Sequence, residues 1–339
     1  MKGLLKVIGW GVLVLLAVSA VLLFTPVLDP DLSSHPKPLG SYEAAAQRIG
    51  AIKAAESSAV LIPEASSIAL LTGSRTETSV VIFHGYTSVP RQFRLIAEGY
   101  RAMGYNVWVP RLPYHGERDR MTTDMSKLTA QGLRGFADQN IDIGAGLGKH
   151  VIVIGLSGGG SLATWSAVDR PEVSQTVLIS PLLHPLGFAE WEDRPLVRAL
   201  RILPFDLYNW WDPVKQDSGP HGYEYPRYSL KGIAALLSLA HWTDKRAETP
   251  SGKAQSPVLM IRNDGDQRLD VAYNERFANR MAAPGRLTMF RIPKSAGLLH
   301  NFVSPEPNGE SHAHITEAYR YLSEALGILL PDPLAPHAP

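Results

Sequence analysis

The chain contains no cysteine, so disulfides, thiolate catalysis and cysteine-ligated metals are excluded. A chain without thiols can sit in an oxidising compartment, which permits export without requiring it. It also lacks any block of like charge, and its net charge is only +1. The electrostatic footprint of a nucleic-acid binder is therefore missing. No G-x-x-x-x-G-K-[ST] can be written anywhere, and no G-x-G-x-x-G opens the first strand–helix unit, so phosphate-loop and dinucleotide readings fail. Internal repeats and low-complexity tracts are absent too. What remains is globular composition, 45% hydrophobic and 19% charged over 339 residues, with enough apolar material for a large core.

One long hydrophobic run is present. Lys2 and Lys6 precede an uncharged stretch, 7–24, which Thr25-Pro26 ends. As a helix it would extend roughly 27 Å, close to the hydrocarbon thickness of a bilayer. A cleaved signal peptide would have a shorter apolar stretch and a small-residue site at its end. The small cluster Ala17-Val18-Ser19-Ala20 instead lies inside the run, which favours an uncleaved anchor over cleavage and secretion. The lysines before the span, with Asp29 and Asp31 after it, put the N-terminus in the cytoplasm and the rest outside, periplasmic or extracellular.

After residues 1–25, the stretch 26–58 reads as a linker followed by a helix that packs on the body or stands as a stalk. From 59 onward short apolar strands alternate with helices. Strands are expected at 59–62 and 68–72 (an antiparallel edge), then at 79–84, 106–109, 150–155, 175–180, 257–262 and 287–292. Helices are expected from about 90, then at 129–147, 161–168, 271–281 and 312–326. Alternation of this kind implies a mostly parallel sheet covered on both faces. The core is assigned to 59–182 and 257–330, with a tail at 331–339. Between the core segments, 183–256 breaks the rhythm with tryptophans, prolines and one clear helix near 230–242. An insertion of that length between core strands reads as a cap over an active site, with Trp210 and Trp211 as possible substrate contacts.

Gly155-Leu156-Ser157-Gly158-Gly159 is weak evidence alone, because G-x-S-x-G arises by chance in roughly one chain in ten of this length. Its setting carries the weight: an apolar strand precedes it directly and a helix follows directly. Such a turn needs small residues around the serine and lifts the hydroxyl above the sheet. A base and an orienting acid are then required. His300 follows the last strand and is the preferred base. His312 and His314 fall on the final helix, and His35 and His337 in tails. For the acid, Asp266 lies just past the strand 257–262 and is preferred. Asp264, which would cap the turn, and Asp270, a helix N-cap, remain alternatives. Backbone amides of Gly158 and Tyr86 are the expected oxyanion donors. Gly85 lets that loop approach, while His84 and His115 are read as ordering loops rather than moving protons.

Taken together, His84-Gly85-Tyr86-Thr87, Tyr114-His115-Gly116, Gly155 to Gly159, Asp266 and His300 resemble the α/β-hydrolase family in order and spacing, over 60–327. Within it the chain resembles carboxylesterases and monoacylglycerol lipases. The resemblance implies the α/β-hydrolase fold with a cap, here preceded by a transmembrane helix. It implies ester hydrolysis through an acyl-enzyme, on a small ester or lipid-like substrate, with no metal or organic cofactor. A peptidase or amidase of the same fold, or an inactive tethered binding protein, are the alternatives; a dehalogenase would need a carboxylate at position 157. One departure stands out: the residue after the serine is often methionine, whereas Gly158 is expected to keep the donor but loosen the floor of the acyl pocket.

Overall fold

The computed structural model describes residues 2–214, 216, 222–306 and 311–335. His337 and the rest of the tail beyond 335 lie outside them. In chain order the elements are α1 (Lys2–Phe24), α2 (Tyr42–Ser58), β1 (Ile68–Leu70), β2 (Thr76–Phe83), α3 (Arg94–Ala102), β3 (Asn106–Val109), α4 (Ala130–Leu147), β4 (Gly148–Ser157), α5 (Gly158–Asp169) and β5 (Val173–Pro181). Then follow α6 (Glu190–Ile202), β6 (Tyr208–Trp210), β7 (Arg227–Ser229), α7 (Leu230–Arg246), β8 (Val258–Asn263), α8 (Val271–Met281), β9 (Leu287–Ile292) and α9 (Ile315–Leu326).

Seven strands form one sheet in the order β1-β3-β2-β4-β5-β8-β9. Only β1 runs antiparallel, opposite β3; the other pairs are parallel. Side-chain alternation along each strand divides the core between two faces. Val81 and Phe83 of β2 and Val151 and Val153 of β4 pack with α4, α5 and α7. Val80, Ile82, Ile152 and Ile154 pack with α3 and α9 on the other side. With both faces covered, these strands are continuous apolar runs, as parallel strands are.

The expected strand at 59–62 does not form. Leu61 makes a single bridge to Glu117, and Pro63 at once starts a 3-10 turn, which leaves no length for a ladder. The insertion holds two helices rather than one, since α6 precedes α7.

α1 contains a 19-residue span, Lys6–Phe24, of mean hydropathy 2.7 and with none of it buried. The segment read as a linker is bonded to the body along much of its length. Arg198 of α6 donates to the Leu23 carbonyl (2.8 Å) and makes a bidentate pair with Asp29 (2.8 and 2.7 Å). Leu32 is fully buried, and its carbonyl accepts from Trp165 Nε1 at 2.8 Å. Asp138 and Asp142 of α4 receive the Ser34 hydroxyl and the His35 and Lys37 N–H groups, while Arg170 bridges both carboxylates from behind. α2 packs on α4 and its buried Glu56 accepts from Ser67 and Arg111. It therefore lies against the core instead of standing off it.

Candidate active site

β4 runs straight into α5 at Ser157, which adopts φ 53° and ψ −116°. A non-glycine residue there is strained, and such strain persists only where surrounding structure enforces it. The enforcing contacts are visible at the neighbouring glycines. A Cβ on Gly155 would lie 2.2 Å from the Gly159 carbonyl oxygen, and one on Gly159 only 2.0 Å from that of Phe83. No side chain fits either position. The Ser157 carbonyl is held by Leu182 N–H at 2.9 Å.

β8 ends in the turn carrying the competing acids, and their partners separate them. Asp264 pairs with Arg262 (2.6 Å) and Arg291 (3.8 Å). Asp270 caps α8 by accepting from Tyr273 N–H at 2.8 Å. Asp266 accepts from His300 Nδ1 at 2.7 Å and from Arg268 N–H at 2.8 Å. Burial pushes the Asp266 carboxyl up, but the His300 imidazole, the Arg268 N–H and the Ser180 hydroxyl together hold it below its ordinary value. Sequence reasoning missed Asn263. Its amide donates to the Leu298 and Leu299 carbonyls (3.0 and 2.8 Å) and its oxygen accepts from Gly265 N–H. That side chain splices the acid turn to the His300 loop.

The loop after β2 is held by a set of buried imidazoles. His84 Nδ1–H donates to the Gly85 carbonyl and its Nε2 accepts from Leu112 N–H. His115 repeats the pattern, donating to the Pro113 carbonyl and accepting from Thr87 N–H. Each ring has one donating and one accepting nitrogen, which requires the neutral form. Burial agrees, holding His84 well below its ordinary value and pushing His115 down to about 4. Gly85 N–H is satisfied by Gln92 Oε1 at 2.8 Å, a second contact without a sequence signal.

Tyr86 and Gly158 lie side by side: a Cβ on Gly158 would come within 3.3 Å of Tyr86 N. The Gly158 N–H belongs to the first turn of α5, where donors have no intrahelical partner. The Tyr86 side chain turns the other way, donating to the Ser229 carbonyl at 3.0 Å, and its ring packs on Gly232 of α7. The expected loosening at Gly158 is not found. The space a larger residue would fill is taken by Leu236 of α7, 2.9 Å from that virtual Cβ.

Ser157, His300 and Tyr86 share one cavity of about 520 Å3. Its apolar wall comes from Leu182, Leu196, Leu200, Ile233 and Leu237. Polar lining comes from Gln92, Arg268, Asn301 and the buried Glu224, whose carboxylate accepts from Asn301 at 3.4 Å. Of the two tryptophans proposed as contacts, Trp211 lines the cavity and donates to Thr87 Oγ1 at 3.0 Å. Trp210 does not line it. Strand alternation sends it to the opposite face from Asn209 and Trp211, where Arg227 lies over its ring. Among the described residues no cluster of His, Asp or Glu is arranged to hold a metal ion.

Comparison with known proteins agrees with this architecture. A thermostable monoacylglycerol lipase of Bacillus sp. (strain H-257) is 28% identical over 193 residues, 55% of this chain and 70% of that protein. The fold matches a structure of the metagenome-derived lipolytic enzymes LipS and LipT (TM-score 0.56, 20% identity, 79% of this chain and 99% of that one). It also matches the Paleococcus ferrophilus monoacylglycerol lipase (TM-score 0.52, 19% identity, 76% and 98%). The alpha/beta hydrolase family matches residues 80–309, a span that takes in the strained serine, the acid turn and the His300 loop, and the chain belongs to that family.

Proposed function

We propose that the protein is a membrane-anchored serine hydrolase that cleaves carboxylic esters with an apolar acyl group, through an acyl-enzyme on Ser157. The observation that carries this is the His300–Asp266 bond of 2.7 Å on the same cavity as the strained serine. With Nδ1 committed to Asp266, Nε2 is the nitrogen left to take the Ser157 proton as Oγ attacks the carbonyl. The Gly158 and Tyr86 amides stabilise the tetrahedral oxyanion. His300 then returns the proton to the leaving alcohol, and water repeats the two steps to release the acid. Asp266 holds the tautomer and steadies the imidazolium.

The lipase names among the relatives support an ester substrate. The apolar wall suits the acyl chain, and the Glu224–Asn301 pair beside His300 suits an alcohol that carries hydroxyls, such as glycerol. In the same reading 183–256 is the cap. α1 is an uncleaved anchor and the catalytic body lies outside the cytoplasm, a reading that Lys2 and Lys6 before the span support.

Ser157→Ala should abolish turnover of short p-nitrophenyl esters and labelling by a fluorophosphonate, with the circular dichroism spectrum unchanged. Turnover retained in that variant sinks the nucleophile assignment. A panel of matched esters and amides should rank the esters first, and the reverse order makes the protein an amidase.

A further inference from the structure

The loop after β2 runs through Gly85 and Tyr86 to Thr87, which adopts φ 68°. A β-branched residue in that left-handed region is strained, and the conformation lasts only where neighbours enforce it. Thr87 is buried and held from two sides. From the core, His115 Nε2 accepts its N–H at 3.1 Å. The insertion 183–256 supplies the other contacts. Tyr225 N–H donates to the Thr87 carbonyl at 3.2 Å, and Trp211 Nε1–H donates to its hydroxyl at 3.0 Å. On the preceding residue, the Tyr86 hydroxyl donates to the Ser229 carbonyl at 3.0 Å.

Local pairing explains why these groups arrive together. β6 and β7 run antiparallel with Trp210 opposite Arg227. Trp211 N–H extends that ladder by donating to the Pro226 carbonyl at 3.0 Å. The ribbon therefore delivers Trp211 and Tyr225 to a single residue of the core. The Trp211 ring is itself fixed, with the Arg268 guanidinium over it at 4.6 Å and the Tyr228 ring at 4.5 Å. Arg268 is also the residue whose N–H Asp266 accepts. One indole thus holds the loop after β2 and abuts the turn that carries Asp266.

In the reading given above, Tyr86 N–H is an oxyanion donor, and such a donor works only if it is aimed before the charge develops. Its direction is set by the torsions of Gly85 and Tyr86. Gln92 ties Gly85 on one side, and the bonds to Thr87 stop the chain from turning on the other. With its N–H, carbonyl and hydroxyl all engaged, Thr87 cannot leave the left-handed region without breaking a bond.

We propose that Trp211 is a positioning residue for the oxyanion hole, locking the Tyr86 amide in line through its bond to Thr87. The inference rests on the Ser157 reading of the previous subsection. It places the effect of Trp211 on kcat, through the loop, rather than on substrate affinity.

A trifluoromethyl ketone carrying 13C at its carbonyl tests it. As Ser157 Oγ bonds to that carbon, the carbonyl π pair becomes the oxyanion and the hydroxyl proton passes to His300. The carbon shift followed against pH reports where the hemiketal oxygen ionises, and well-aimed donors lower that pH. In W211F the hemiketal should ionise about one pH unit higher, and kcat for p-nitrophenyl acetate should fall about tenfold with KM unchanged. T87V should show a loss of the same kind, whereas T87S, which keeps the acceptor, should not. T87V/W211F should lose no more than either single variant, because both remove one bond. W211F keeps a ring under Arg268 and decides the question alone if T87V fails to fold. Ionisation at the native pH in W211F overturns the proposal, as do losses that multiply in the double variant. A raised KM with kcat intact also overturns it and makes Trp211 a substrate contact. Absence of the hemiketal in the native protein, or its presence in Ser157→Ala, defeats the Ser157 reading and the proposal with it.

Discussion

Three aspartates within seven residues compete as the proposed triad acid; position just past the strand favours Asp266 in the sequence, and their partners divide the roles. Asp264 neutralises Arg262 and Arg291 on the outer side of the turn, Asp270 starts a helix, and Asp266 alone meets His300. An amide at 266 could still receive the Arg268 N–H, but it would no longer enforce the imidazole tautomer with Nε2 free to accept. Asp266→Asn should therefore lower kcat by about 10^4 with little change in KM, the scale seen when the triad acid of a serine protease is amidated. Asp264→Asn should stay within a few-fold of the native rate. Steady-state kinetics of the two variants on one ester decide the matter, and equal losses would return the acid to open question.

At the scale of elements, the core was legible where apolar runs were unbroken. α8 and β9 were expected at 271–281 and 287–292, and they occupy those residues. α6 was hidden because its first turn is acidic and Pro195 interrupts the pattern. The β6–β7 pair is only three residues a strand, too short for any alternation to register. At the site, strand ends pointed to Ser157, Asp266 and His300 as candidates, which the fold brings together, but Asn263 and Gln92 act through buried hydrogen bonds that leave no mark on spacing. The expected loosening at Gly158 failed for a related reason: Leu236 closes the gap from 78 residues away in sequence.

The loops after β2 and β3 make a testable unit of this kind. His115 is neutral when folded, with its value pushed down to about 4, whereas the unfolded chain takes up a proton near pH 6.5. Below that pH the unfolded state binds more protons, so stability falls as pH drops from about 6.5 to 4 and then levels. His84, also held low, acts in the same direction. His115→Gln keeps an acceptor for Thr87 N–H and cannot charge. Urea unfolding of the native protein should lose more stability between pH 7.5 and 5 than the variant does, by roughly 2 kcal/mol. Identical pH slopes would mean that His115 is not buried neutral.

For the whole molecule, the boundary between the proposed anchor and the α/β-hydrolase body falls inside what reads as a linker. Residues up to Thr25 meet the body along α6, where Arg198 reaches the Leu23 carbonyl. Residues 29–39 contribute much more. Leu32 is fully buried, worth about 2 kcal/mol of apolar burial, and Trp165 Nε1 has its carbonyl as acceptor. Removing that acceptor leaves a buried donor unsatisfied, at about 1–3 kcal/mol. Arg198 would lose Asp29, and Asp138 and Asp142 would lose the N–H groups of His35 and Lys37. These losses together approach the whole stability of an ordinary domain. A chain starting at Pro26 should therefore be soluble without detergent and should hydrolyse esters at the native kcat. A chain starting at Ser41 keeps every residue of the proposed catalytic centre but should aggregate or unfold at much lower urea. Soluble yield and urea midpoints of the two truncations measure the difference. Matching midpoints would show that the strap merely lies on the surface, and a loss already complete in the longer chain would make α1 itself part of the folded unit.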